Sequence, residues 1–136
     1  MRRTILLVAT VLAMVAMTAV VAVAATLTGT DAAETINGTN SNDRIFGKGG
    51  GDALRGLDGF DALSGGPGND LLSGGANDDT LIGGSGSDRI LGGSGNDKIY
   101  PAGDNRVDYV DCGTGFDTVE RGDARDTIVN CERIVR

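Results

Sequence analysis

Seven aspartates stand nine residues apart, at Asp43, Asp52, Asp61, Asp70, Asp79, Asp88 and Asp97, with Glu34 nine residues ahead of the first. Carboxylates at a fixed period offer two chemistries. Paired acids can act as acid and base on a glycosidic bond, or acids can hold a hard cation that takes oxygen ligands. The residues between them are mostly Gly, Asn and Ser, which suit tight turns and positive φ. Such turns can aim backbone carbonyls at an ion. The 136-residue chain has no His, so it lacks the commonest general base and the commonest transition-metal ligand. Ser64, Ser73, Ser85, Ser87 and Ser94 therefore have no imidazole to activate them. The pattern favours calcium held by turns over catalysis. A hydrolase acting on a surface polymer is the alternative reading.

The acids belong to a longer repeat. From Gly29 the chain reads GTDAAETIN, GTNSNDRIF, GKGGGDALR, GLDGFDALS, GGPGNDLLS, GGANDDTLI, GGSGSDRIL and GGSGNDKIY, without insertion or deletion. Position 1 is always Gly, position 6 is the acid, and position 8 is always Ile or Leu. Repeats of this kind precede any reading of secondary structure. Positions 1 to 6 predict a turn. Positions 7 to 9, with one apolar residue between two others, predict a short strand with a single inward side chain. Two units then make a coil of eighteen residues, and coils stack as parallel strands about 4.8 Å apart. The fold expected is all-β, a parallel two-sided β-solenoid. Stacking pairs the acids as 43/61, 61/79 and 79/97 on one edge and 52/70 and 70/88 on the other, with Glu34/Asp52 a weaker pair. An ion midway between stacked turns would lie within reach of both, since calcium–oxygen distances run about 2.3 to 2.6 Å. An unstructured Gly/Asp linker would have the same composition, but a linker has no inside and no need of the apolar column.

The unit G-G-x-G-x-D-x-U-x resembles the calcium-binding nonapeptide of the repeats-in-toxin (hemolysin-type) family. The units opening at Gly65, Gly83 and Gly92 match every defined position. The resemblance implies a β-roll that takes Ca2+ in its turns. It implies metal ligation by the seven aspartates and by the turns of Gly65, Gly66 and Gly68, of Gly83, Gly84 and Gly86, and of Gly92, Gly93 and Gly95. Other units depart from the pattern. Asn77 replaces the third glycine in one, and Ala32 and Ser41 replace it in the first two, which are expected to cap the roll with weak or absent metal sites. Some relatives carry a protease or lipase domain ahead of the roll; only a few residues separate the predicted signal peptide from Gly29, so none is expected here.

The ends of the chain differ from its middle. Residues 1–25 combine Arg2 and Arg3, an apolar stretch and a closing Ala22-Val23-Ala24, which predicts a secretory signal peptide. A kept membrane anchor is the competing reading; once the segment is cleaved, no membrane association is expected. Residues 26–100 form the predicted roll, and 101–136 a degenerate cap. There the acid spacing slips to eleven at Asp108, then returns to nine at Asp117 and Asp126; these three are expected to be mainly solvated turn acids. Cys112 and Cys131 are the only cysteines. An even count in an exported chain predicts a disulfide, and their spacing of one coil plus one residue would bring them close. The formal net charge of −7 excludes nucleic acid as an expected partner, because phosphates select Lys and Arg. The outward columns at positions 7 and 9 are too mixed for an ice-binding ladder. What remains is a secreted calcium-binding module with a structural or cell-surface role and an extracellular polymer as its possible partner.

Overall fold

A computed structural model describes residues 3–4, 23–120 and 122–135. Most of the predicted signal peptide lies outside these residues. The described chain is all strand and turn, arranged as fourteen strands in two parallel seven-stranded sheets. One sheet contains β1 (Arg3–Thr4), β3 (Glu34–Asn37), β5 (Ala53–Asp58), β7 (Leu71–Ala76), β9 (Arg89–Ser94), β11 (Tyr109–Thr114) and β13 (Thr127–Val129), in that order. The other contains β2 (Thr26–Thr28), β4 (Arg44–Phe46), β6 (Ala62–Pro67), β8 (Thr80–Ser85), β10 (Lys98–Tyr100), β12 (Thr118–Glu120) and β14 (Arg133–Val135). The chain alternates between the sheets, one unit at a time. Leu54 pairs with Leu72 and Leu63 with Leu81, eighteen residues on. The fold is the two-sided β-solenoid of about eighteen residues per coil that the period of nine requires.

The position-8 side chains fill the space between the sheets. Ile45, Leu54, Leu72, Leu81, Ile90 and Ile99 are fully buried, and Val110 and Val119 continue the column past the regular repeats. Leu27, Ile128 and Cys131 pack on this column as partly buried neighbours. The core is one side chain wide, which is what one apolar residue per unit can build.

Two features differ from expectation. The strands were expected at positions 7 to 9 only, yet in six of them pairing runs on through positions 2 and 3 of the next unit. Position 1 interrupts the ladder: Arg55 pairs with Ser73 and Leu57 with Gly75, but Gly56 has no partner in register. The turn proper is thus positions 4 to 6. The second feature is the slip near Tyr100. β10 stops at Tyr100, before Pro101, which has no N–H to offer. The coil there is twenty residues long, pairing Arg89 with Tyr109 and Lys98 with Thr118. Stacking resumes beyond it without loss of the core.

Candidate metal centre

Each acid column follows directly from the register. The backbone N–H of one position-6 residue donates to Oδ1 of the aspartate one coil on. Asp43 donates to Asp61 at 2.7 Å, Asp61 to Asp79 at 2.8 Å and Asp79 to Asp97 at 2.8 Å. On the opposite edge Glu34 donates to Asp52 at 2.9 Å, Asp52 to Asp70 at 2.7 Å and Asp70 to Asp88 at 2.8 Å. All seven repeat aspartates are buried. The structure therefore brings together every stacked pair that the eighteen-residue coil predicts.

The second carboxylate oxygen is different. Oδ2 of Asp52, Asp61, Asp70, Asp79, Asp88 and Asp97 is buried with no hydrogen-bond partner. Burying a charged oxygen unpaired is costly, so a row of six asks for a ligand. The surroundings show how closely these oxygens are packed. A Cβ added to Gly74 would run into Oδ2 of Asp79 and come within 2.6 Å of the carbonyl oxygen of Gly92, in the next coil. Gly65 is placed likewise between Oδ2 of Asp70 and the Gly83 carbonyl, and Gly56 between Oδ2 of Asp61 and the Gly74 carbonyl. Position 1 is glycine because two oxygens from adjacent coils converge there. Positions 2 and 4 have a separate reason. Gly84 and Gly86 lie at φ 102° and 126°, and a Cβ on either would strike a carbonyl one coil back, Gly66 or Gly68. Gly66, Gly68, Gly93 and Gly95 share this positive φ.

The donor set is hard oxygen from carboxylate and carbonyl, which fits calcium. Among the described residues no three acidic, His or Cys side chains cluster, so an ion would draw on the backbone as well as on two carboxylates. Electrostatics agree with a missing counter-charge. Desolvation raises Asp79 to about 7 and Asp70, Asp88, Asp97 and Asp108 to about 6, against a backbone N–H bond that pulls each back. Neighbouring carboxylates push them further up. Asp52, Asp61 and Asp117 are raised for the same leading reason.

The ends of the columns depart in three ways. In the first two units position 2 is threonine, and the acid is already satisfied. Thr39 donates to Oδ2 of Asp43 from its N–H at 2.6 Å and from its hydroxyl at 2.9 Å. Thr30 does the same for Glu34, at 2.9 and 2.7 Å. Asp43, expected among the metal ligands, thus has both carboxylate oxygens occupied by protein donors. At the other end, Asp108 and Asp117 correct the expectation of solvated turn acids. Both are fully buried, they accept the N–H groups of Asp88 and Asp97 at 2.9 and 2.7 Å, and each has an unpartnered Oδ2. The eleven-residue slip concealed this, because it is absorbed by a longer coil. Asp126 is only half-buried, and its Oδ2 takes the N–H of Asp123. Cys112 and Cys131 form a disulfide with a Cα separation of 5.2 Å. Position 5 also carries an unforeseen role: Asn42, Asn69 and Asn96 accept the N–H of Phe60, Ser87 and Phe116 in the next coil.

The model of the RTX calcium-binding nonapeptide repeat matches the chain in four copies, at residues 28–63, 46–81, 64–99 and 74–108. Together they span more than half of the 136 residues. No curated protein and no solved structure matches the chain.

Proposed function

The chain belongs to the RTX calcium-binding nonapeptide repeat family, and from that premise we propose that it is a secreted, non-catalytic module that folds on Ca2+ outside the cell. Residues 1–25 would be removed as a signal peptide, 26–100 would carry the ions, and 101–136 would close the roll. The observation that carries this reading is the row of buried, unpartnered Oδ2 atoms on Asp52, Asp61, Asp70, Asp79, Asp88 and Asp97. Each faces the carbon of a position-1 glycine, and on most of them a carbonyl from the next coil faces the same point. Calcium, if bound, would supply two positive charges to offset the buried carboxylates. The chain's own part would be to present oxygens: Oδ2 from the aspartate, and carbonyls from the turns that Gly65, Gly66 and Gly68, Gly83, Gly84 and Gly86, and Gly92, Gly93 and Gly95 allow. The Oδ1 atoms meanwhile hold the coils in register.

Binding of this kind is inseparable from folding, because the two half-sites meet only when coils stack. Extracellular calcium modules bind at about 10⁻⁴ to 10⁻³ M, so a low-calcium cytosol would leave the chain unfolded for export. The acidic balance and mixed outer faces suit a structural or surface role with an extracellular polymer as partner, and do not suit nucleic acid. Circular dichroism during a calcium titration of the mature chain tests the reading. The strand signal should appear with calcium and vanish in chelator. A signal already complete in chelator refutes it. Retention on cell-wall material with and without calcium then identifies the surface partner.

A further inference from the structure

We propose that the outer face of the sheet formed by β4, β6, β8, β10 and β12 docks a linear, uncharged polysaccharide lying along the axis of the roll. The proposal rests on the extracellular-polymer reading above and gives that partner its chemistry and its face. The first observation is where the aromatic residues stand. The chain has three Phe, two Tyr and no Trp. None is in the core, which is Ile, Leu, Val and Cys112. Four of the five, Phe46, Phe60, Tyr100 and Phe116, lie on this sheet or in the turns that lead into it. Phe46 and Ile82 are half-exposed, and Phe60 and Phe116 more so. The register sets Phe46, Ser64, Ile82 and Tyr100 in one outward column. A contiguous apolar column that the core does not use marks an interaction surface.

The second observation is charge. The outward positions 7 and 9 of β4, β6, β8 and β10 carry no acid, although the chain has 19 acidic residues. They carry Arg44 and Lys98 instead, both exposed. Arg44 shares its strand with Phe46, and Lys98 with Tyr100. These two ends stand three strand spacings apart, about 14 Å. The two strands between them present Ala62, Ser64, Thr80 and Ile82 outward, a lower floor between two raised ends.

Size and chemistry select the occupant. Four strand spacings from β4 to β12 and four residue steps from position 5 to position 9 give a field of about 19 by 13 Å, roughly 250 Å². A stable protein interface takes about 800 Å² from each partner, so the face suits a single narrow chain. A peptide strand would need free backbone N–H and C=O groups, but each of these five strands is paired on both sides. Single-stranded nucleic acid would stack its bases on aromatics, but its phosphates need many more than two cations. A charged glycan meets the same objection, since Glu120 borders the field in β12 and the chain carries a formal charge of −7. A neutral pyranose chain meets none of these objections. Its apolar C–H faces stack on Phe46 and Tyr100, and its hydroxyls meet Arg44, Lys98, Ser64 and Thr80.

Titration calorimetry of the mature, oxidised, calcium-loaded chain tests this. The neutral probes are cellohexaose, mannohexaose, xylohexaose and chitohexaose, and hexagalacturonate is the charged one. At least one neutral probe should bind. Phe46→Ala and Tyr100→Ala should each weaken it about tenfold, and Tyr109→Ala, on the other sheet, should leave it unchanged. The strand signal in circular dichroism identifies folded variants, and either of the first two, folded, decides. Failure of every neutral probe with a folded wild type overturns the proposal and leaves the calcium roll standing. Binding of hexagalacturonate alone overturns the uncharged partner, and equal loss in Tyr109→Ala overturns the face. A strand signal indifferent to calcium counts against the calcium reading alone, since the face is judged by binding.

Discussion

At the scale of single residues, position 2 divides the acids into those met by protein donors and those left without one. A threonine there turns its hydroxyl and N–H onto the acid four residues on, as Thr30 and Thr39 do. A glycine there leaves the acid's Oδ2 unpartnered. Thr39→Gly should therefore convert a self-satisfied turn into a calcium-dependent one. At the lowest calcium that keeps the chain folded, amide exchange of residues 38–46 should become faster in the variant; equal protection would show that the hydroxyl does not replace the ion. The coil above each threonine bears a side chain at positive φ, Lys48 at 76° and Leu57 at 86°. Such backbone costs about 1 kcal/mol or more for a residue other than glycine. Leu57 is half-exposed and gives little to the core. Leu57→Gly should raise stability in saturating calcium by about 1 kcal/mol, read as a higher urea midpoint.

At the scale of the strand and turn, the two acid columns are separate devices, since each aspartate bonds to the residue eighteen or twenty away and not to the one nine away. Asp70→Asn keeps the acceptor for the Asp52 N–H while removing charge. Ion occupancy at Asp52–Asp70 and Asp70–Asp88 should fall, and that at Asp61–Asp79 should hold. Equal loss on both edges would contradict the eighteen-residue coil as the unit of binding. The disulfide is the other device at this scale. It closes a loop of nineteen residues, worth about 3 kcal/mol on loop-entropy grounds, so the reduced, calcium-loaded chain should unfold at lower urea. The coil, the sheets, the core column and the stacked acid pairs were all legible in the sequence, because a period of nine with one apolar position leaves few other folds. The length of the strands was not, because glycines at positions 2 and 3 read as turn while pairing as strand. The burial of Asp108 and Asp117 was hidden by the two extra residues near Pro101. The satisfaction of Asp43 was hidden because a threonine hydroxyl counts as a ligand only once its turn is built.

At the scale of the whole molecule, protons and calcium compete for the same oxygens, and they push the fold in opposite directions along the pH axis. Burial holds Asp79 near 7 and Asp70, Asp88, Asp97 and Asp108 near 6, above the unfolded value of 3.8. A carboxyl raised on folding favours the fold fully below its unfolded pKa, and that contribution is lost as pH rises through the folded value. In chelator the roll should therefore be least unstable near pH 4 and should lose stability between about pH 4 and 7, as the unfolded chain gives up its protons first. Calcium reverses the dependence, because only the ionised carboxylates bind it. In saturating calcium the roll should be most stable at neutral pH and above, and should release ions only below the metal-free values, because calcium holds the carboxylates ionised. The carboxylates of one column ionise in separate steps, because each charge raises the pKa of the next. Strand content followed by circular dichroism across pH 4 to 8, with calcium and with chelator, should give two curves of opposite slope. Parallel curves would mean that the buried aspartates are not where calcium acts, and the acid columns would then be no more than a polar seam between coils.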